Sequence, residues 1–249
     1  MNILVCISRV PDTATKISVS GNGTSIDKGG VKFILNPYDE FAIEEALQLK
    51  QKSGGEVTAV TVSHEDAKDV MRTALAMGVD KAVILKAKDE NFDSNYVAKN
   101  LAEFSKEINP DIIFAGRQSV DFDSFQVPSM LAAYLDMPSI SVVSKLEIQD
   151  GKLTAERDIE GGKEQLEADL PCVISTQKGL NEPRYPKLPD IMKAKKKPID
   201  EKDASDAEYI TEVVSMDIPK KDRVGKILGD SDSDIADIVK SLHEDAKVI

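Results

Sequence analysis

The sequence predicts an α/β fold: a doubly wound, mainly parallel sheet with antiparallel additions and a C-terminal arm. Three observations carry this. From Ile3 to Leu135, short β-branched apolar runs alternate with stripes at helical spacing, the pattern of a parallel sheet covered on both faces. Beyond Pro138 the helical stripes give way to short alternating runs. Beyond Pro198 the chain becomes polar, charged and poor in periodicity. The expected division is an α/β domain over 1–198 and an arm over 199–249 ending in a short helix.

The elements follow in order. Ile3–Ile7 is a short buried-strand run, closed by a turn over Ser8-Arg9-Val10-Pro11-Asp12. Ile17–Ile26, broken by Gly21-Asn22-Gly23, is expected to be a small hairpin. Asn36 suits an N-cap and Pro37 the first helical position. Ala42, Ile43, Ala46 and Leu47 give that helix its stripe, and Gly54-Gly55 stops it. Glu56–Val62 is the next strand. A helix is expected from about Glu65 to Met77, with Val70, Leu75 and Ala76 inward and Gly78 as its stop. Ala82–Leu85 is a strand, and Tyr96, Val97, Leu101, Phe104 and Ile108 mark another helix. Ile112–Ala115 is a strand with Gly116 opening its turn. Asp123–Leu135 reads as a helix with Pro128 near its first turn. Ser141–Ile148, Lys152–Asp158, Lys163–Glu167 and Val173–Thr176 read as an antiparallel addition, with a hairpin turn at Gln149-Asp150-Gly151. Ile235, Ile238, Val239 and Leu242 form a last helical stripe after Ser231 and Ser233, which are candidate caps. So short a helix beyond a polar arm needs a surface to dock on.

Composition excludes several functions. Of 249 residues, 41% are hydrophobic and 31% charged, which is a folding composition. Lys and Arg number 32 against 44 Asp and Glu, a net charge of −12 that disfavours nucleic acid and anionic membranes. No apolar run reaches the ~18–20 residues of a membrane span, and no signal-peptide pattern opens the chain. Cys6 and Cys172 sit in apolar runs without metal-ligand spacing, as in a reducing compartment. The expectation is a soluble, cytoplasmic protein.

Catalytic sets are missing. His64 and His243 are the only histidines, and neither stands in a triad or metal spacing. GxSxG, HExxH and the P-loop pattern are all absent. Asp121 and Asp123 could pair for acid–base work, but acids at a helix start are more often caps. What remains is a ligand-binding sheet. Loops at 9–15, 36–39, 62–65 and 116–126 should converge at its carboxyl edge. Cys6 and Val62 could wall an adenine there, and amides at the Asn36 and Asp123 helix starts could hold an anion. A bare scaffold with solvated loops is the competing interpretation.

The run from Leu180 to Ile199, LNEPRYPKLPDIMKAKKKPI, closely resembles the signature of the electron transfer flavoprotein β subunit. The resemblance extends to Val5–Asp12, Asn36–Ala46, Arg72–Gly78, Gly116-Arg117-Gln118 and Glu156–Gly162. It implies the adenine nucleotide α-hydrolase-like variant of the fold. It also implies an electron-carrier half of an αβ heterodimer, not an enzyme. Electrons would pass from flavin dehydrogenases, such as acyl-CoA dehydrogenases of fatty acid oxidation, to a quinone oxidoreductase acceptor. The carrier would be an FAD held mainly by the α subunit. Cys6, Asn36, Pro37, Tyr38, Asp39, Val62, Gly116, Arg117, Gln118, Asp121, Asp123, Gln126 and Val127 would then line an AMP pocket, and Thr13 would approach the flavin. Leu180 looks like the family's dehydrogenase anchor, flanked by Asn181, Glu182, Pro183, Arg184 and Tyr185; a proline-rich turn with Leu180 buried is the plainer alternative. Lys193–Lys197 is either a steering patch or a solvated face. Phe122 and Phe125 are bulkier than is usual in the family's loop, Val127 replaces a usual Thr, and Pro128 a common Gly. These departures imply weak phosphate binding and no second FAD, the mark of the bifurcating branch. The remaining alternative is a stand-alone adenine-nucleotide-binding protein.

Overall fold

The chain is described from a computed structural model that covers residues 1–64, 67–89, 92–149, 151–219, 225 and 227–249. It opens with β1 (Asn2–Cys6), β2 (Arg9–Pro11) and β3 (Phe33–Leu35), followed by α1 (Pro37–Ser53), β4 (Glu56–Ser63) and α2 (Lys68–Met77). Next come β5 (Lys81–Lys86), α3 (Ser94–Ile108), β6 (Ile112–Gly116) and α4 (Val127–Leu135). The second half contains β7 (Ser139–Gln149), β8 (Lys152–Ile159), β9 (Gly162–Asp169), β10 (Cys172–Thr176), α5 (Leu188–Ala194), β11 (Asp200–Asp203) and α6 (Asp232–Lys240).

The main sheet has the order β11-β5-β4-β1-β6-β10-β7-β8-β9. The strands from β11 to β7 run parallel, and β8 and β9 follow as an antiparallel meander. The alternation within each central strand sorts side chains onto two cores. Ile3, Val5, Ala59, Ile112, Phe114 and Ile174 pack beneath α1 and α2, with Ala194 of α5 in the same layer. Leu4, Cys6, Val60, Val83, Ile113 and Val173 pack beneath α3 and α4. This is the doubly wound arrangement expected, and both faces of β1 and β6 are buried. Register brings Cys6 beside Val60 and Ala115, and Gly116 beside Thr176. Those four strand ends define one edge of the sheet.

Several local expectations change. Arg9–Pro11 is a strand, not a turn, and pairs antiparallel with Phe33–Leu35. The segment from Ile17 to Ile26 closes through a single bridge, Val19 to Ile26, instead of a regular hairpin. The second helix begins at Lys68; the expected start at Glu65 lies outside the described residues, as does Asp150 of the β7–β8 turn. The fourth helix begins at Val127, because Asp123 and Phe125 hold left-handed φ angles of 55° and 58° that no helix can include. The Val173–Thr176 run is not part of the antiparallel addition. It is inserted in parallel between β6 and β7, with every residue of the strand buried.

The segment following Pro198 does not begin as a free arm. Asp200–Asp203 adds a parallel edge strand to β5, and Glu201 accepts from Lys68 (2.7 Å) and from Lys86. Residues 204–211 then strap α3. Ser205 N–H donates to Asn100 Oδ1 (2.7 Å) and Tyr209 stacks on Tyr96 at 5.0 Å. Asp93 caps α3 with one oxygen on Tyr96 N–H (2.9 Å) and holds the Ile210 and Thr211 amides with the other (2.8 and 2.9 Å). One compact unit therefore spans Met1–Met216, and a second spans Asp217–Ile249. In the second, Ser231 Oγ accepts from Asp234 N–H (3.2 Å) and caps α6. Ile235, Ile238, Val239 and Leu242 are all exposed on α6 and the turn after it.

Asp93 is thus both a cap and a clasp. Asp93→Ala should lower unfolding free energy by about 1–2 kcal/mol, the usual size of a lost N-cap. Hydrogen exchange at Ile210 and Thr211 should rise at the same time, while the amides of β1 stay protected.

Candidate functional site

The site starts at the first turn of α1. Pro37 fixes the entry into that helix, and Asp39 follows one turn in, fully buried. Its Oδ2 accepts the Ser8 amide just after β1 (2.6 Å), and its Oδ1 accepts the Gly116 amide at the end of β6 (3.0 Å). Burial pushes the Asp39 carboxyl up to about 7, against the pull of these hydrogen bonds. Gly116 must be glycine here. A Cβ would lie 2.3 Å from Asp39 Oδ1 and 2.8 Å from the Tyr38 carbonyl carbon. Asn36 does not cap α1 with its side chain. That side chain reaches across to the next loop, donating to Gln118 O (2.9 Å) and accepting from Val120 N–H (3.2 Å).

Above this floor is a cleft of about 170 Å³ at the carboxyl edge of the sheet. Of the residues named in the sequence analysis, Cys6, Asp39, Val62, Gly116, Arg117, Gln118, Asp121, Gln126 and Val127 line it. Asn36, Pro37, Tyr38, Asp123 and Thr13 do not. Asn36 and Tyr38 act from behind, Asp123 turns outward in its left-handed conformation, and Thr13 is exposed in the turn after β2. Sequence reasoning missed the third wall, Phe92, Asp93, Ser94 and Val97. The cap-type pair Asp93-Ser94 ahead of the Tyr96 stripe was the available signal. Phe122 and Phe125 form an exposed rim. Arg117 lies between two rings, 4.7 Å from the Tyr38 centroid and 5.0 Å from that of Phe125, and donates to Tyr38 Oη (3.1 Å). Gln118 donates its amide to Asp123. Arg117 Nε and Gln118 Oε1 are buried without a partner.

A larger groove of about 1090 Å³ lies at the opposite edge, lined by Met1, Leu49, Asn109, Ile148 and Pro171 among others. It faces the amino ends of the strands, where α/β sheets seldom bind ligands. Burial pushes both thiols up, Cys172 to about 12, so neither is a thiolate nucleophile. Among the described residues there is no cluster of His, Cys, Asp or Glu fit to hold a metal. No described helix is long and apolar enough to cross a membrane.

The 180–192 segment differs from its expected form. Leu180 is half-buried and packs against the core under α1. The chain turns over it because α1 supplies polar anchors on the same side. Asn181 donates to Phe41 O (3.0 Å) and Glu45 (2.9 Å), and Arg184 grips Glu44 through Nε (2.7 Å) and Nη2 (2.9 Å). Arg72 of α2 holds the far end through Ala194 O (2.5 Å) and Lys197 O. Glu182 is exposed and Pro183 half-buried. The large exposed apolar groups are Tyr185 (94%), Leu188 (73%), Ile191 and Met192, three of them on α5, a helix that the sequence reading did not identify.

Two substitutions test this frame. Gly116→Ala should destabilise the chain by about 1–3 kcal/mol, measured by denaturant unfolding, because neither the Tyr38 backbone nor the Asp39 bracket can move aside. For Glu44, burial pushes its carboxyl up, but the hydrogen bonds from Arg184 and Gln48 outweigh this and hold it below the usual range. A depressed carboxyl contributes fully above its unfolded value and loses that contribution as pH falls through the lower folded one. Glu44→Gln should therefore cost about 1–2 kcal/mol at neutral pH, reduced by the partial exposure of Arg184. The gap from the unsubstituted chain should close on acidification.

Comparison with known proteins places this geometry. The profile of the electron transfer flavoprotein domain family matches residues 24–207. The chain is 42% identical over its whole length to the whole of the "Electron transfer flavoprotein subunit beta" of Bacillus subtilis. It is 38% identical, again over all of both chains, to the mitochondrial β subunit of Oryza sativa subsp. japonica. It is 40% identical to the β subunit of Homo sapiens over 80% of each chain. Matched from end to end at this level, the chain belongs to the electron transfer flavoprotein family as a β subunit.

Proposed function

We propose that this chain is the electron-carrying β half of a heterodimeric electron transfer flavoprotein. In this reading it is an electron carrier, not an enzyme. It passes electrons from flavin dehydrogenases, acyl-CoA dehydrogenases among them, to a quinone-linked acceptor, in the cytoplasm. The redox group is an FAD held mainly by the α subunit, and it supplies the electron-accepting ring. The observation that carries the proposal is the end-to-end identity to relatives named as β subunits.

The cleft suits one mononucleotide. Two buried polar atoms without partners, one donor and one acceptor, await a ligand. The strand ends at Cys6 and Val62 offer an apolar wall for a base. Its volume of about 170 Å³ is below the ~300–1,000 Å³ of ordinary ligand pockets, so one mononucleotide needs the 121–126 loop to open, and a dinucleotide needs it to open much further. This supports one AMP and weighs against a second FAD, hence against the bifurcating type. The exposed face of α6 suits docking on the α subunit, which would cover Ile235, Ile238 and Val239. The donor-docking role assigned to Leu180 passes to the exposed neighbours. Leu188 stands on a helix braced by Arg72 and preceded by the Glu44–Arg184 clamp, so it is presented on a stiff support.

The test is reconstitution with the α subunit, denaturation and chromatographic counting of released nucleotides. One FAD with no more than one AMP is expected; two FAD would refute the proposal. Leu188→Ala should raise the KM for the donor dehydrogenase about 5- to 100-fold without altering stability. Leu180→Ala should instead lower stability by about 1–3 kcal/mol through lost packing. Unchanged donor kinetics in Leu188→Ala would remove the docking role.

A further inference from the structure

We infer that Met192 is a reversible oxidation site: hydrogen peroxide converts its thioether to the sulfoxide, and the sulfoxide weakens the hold of the electron donor on this chain. The second half rests on the docking reading given above for α5. The chain contains seven methionines and two cysteines, all of them among the described residues. Cys6 and Cys172 are buried, and burial keeps both thiols in the unreactive protonated form. Met71 and Met77 belong to the core, and Met1, Met130, Met137 and Met216 are half-covered. Met192 alone stands well into solvent, 52% exposed. Peroxide therefore meets this sulfur before the others. In the reaction the peroxide O–O bond breaks and an S–O bond forms. The sulfur gives up two electrons, the peroxide takes them, and its second oxygen leaves as water. A sulfoxide reductase reverses the step with a thiol pair, which ends as a disulfide while the oxygen leaves as water.

The consequence follows from where Met192 stands. Leu188, Ile191 and Met192 are spaced i, i+3, i+4 along α5, so they share one helix face. All three are exposed, and the backbone beneath them is held by the Glu44–Arg184 pair on one side and by Arg72 on the other. A thioether suits such a face, because it is apolar and adapts to an irregular partner surface. Oxidation makes the same side chain polar. In water the new oxygen is hydrated, whereas a dry contact leaves it without a donor. Of its seven residues α5 buries only Ala194. Oxidation at Met192 therefore spares the fold and penalises the complex.

The experiment treats the α–β heterodimer with dilute hydrogen peroxide, removes the peroxide with catalase, and then adds the donor dehydrogenase. Peptide mass mapping follows each methionine of this chain. The Met192 peptide should gain one oxygen before any other methionine peptide of the chain. The KM for the donor should rise about 5- to 100-fold, the cost of burying one unpaired polar group, with the denaturation midpoint unchanged. Methionine sulfoxide reductases with a dithiol should restore both the mass and the KM. A Met192→Leu heterodimer, carrying the same α subunit and compared with itself before treatment, should change its KM less than about twofold. Earlier oxidation of another methionine in this chain overturns the inference. So does an unchanged KM once Met192 is fully oxidised, or an equal loss in Met192→Leu. Leu188→Ala separates the two readings. If it raises the KM while oxidised Met192 does not, the inference alone falls. If Leu188→Ala leaves donor kinetics unchanged, the docking reading falls and the inference with it.

Discussion

A buried carboxylate at the start of α1 joins elements that have no nearby covalent link. Asp39 accepts one amide from the loop after β1 and one from the end of β6. Each of those amides points out of the sheet edge and would otherwise be an orphaned donor. By meeting both, Asp39 brings the first turn of α1 down onto the strand ends until Gly116 has no room for a side chain. Everything that makes the cleft is referenced to that point. Gly116 opens the loop that carries Arg117 and Gln118. Asn36, next to the helix start, takes hold of the same loop at Gln118 and Val120. The ring of Tyr38 becomes the backing for Arg117. Asn36, Tyr38 and Asp39 thus set the position of a loop about eighty residues away, through side-chain hydrogen bonds to its backbone and one stacked cation.

The sheet was legible because its strands are buried on both faces. Runs such as Ile3–Ile7 and Ile112–Ala115 have no polar alternative, so burial alone decides them. Helices were legible where a stripe and a stop coincide, as in Tyr96 to Asn109-Pro110. Where local signals conflicted, the structure went another way. Pro11 and the polar residues around it suggested a turn, yet Arg9–Pro11 needs only one partner strand and finds it in Phe33–Leu35, forming a two-stranded ribbon in which a proline is tolerated. The Val173–Thr176 run could not reveal its direction, because a fully buried strand has the same pattern in parallel and antiparallel pairing. Asp200–Asp203 carries no apolar period at all. It pairs at the sheet edge through its backbone and through Glu201 with two lysines, interactions that hydropathy does not register.

The cleft was half legible for a related reason. Strand-end positions such as Cys6, Val62 and Gly116 follow from the rule that parallel sheets bind at their carboxyl edge. The roles of Asn36 and Asp123 do not follow, because they depend on the direction of a side chain and on the sign of φ. A cap-type residue before a proline reads as a cap, but Asn36 uses its amide on a distant loop. Asp123 reads as a helix start, but its positive φ keeps it outside the helix. Leu180 fell to the same limit. Its flanking prolines suggested presentation, whereas Asn181 and Arg184 fasten that stretch to the acidic face of α1 and turn Leu180 inward.

Fastening and presentation are two sides of one arrangement. An apolar side chain can stand in water without collapsing onto its own domain only if the backbone beneath it is held. Glu44 and Arg184 hold one end of the 180–197 stretch, and Arg72 holds the other through two carbonyls. Between those fixed ends the short helix α5 buries only Ala194 and leaves Leu188, Ile191 and Met192 in solvent. Seven residues are too few for a helix to persist on its own, so the two clamps are what make the exposed face a defined shape. The same logic governs the cleft, where Arg117 is held by rings and the loop by Asn36. In both places the sequence spends polar residues on the support and leaves the contacting groups unpartnered, which is the composition that an intermolecular contact then completes.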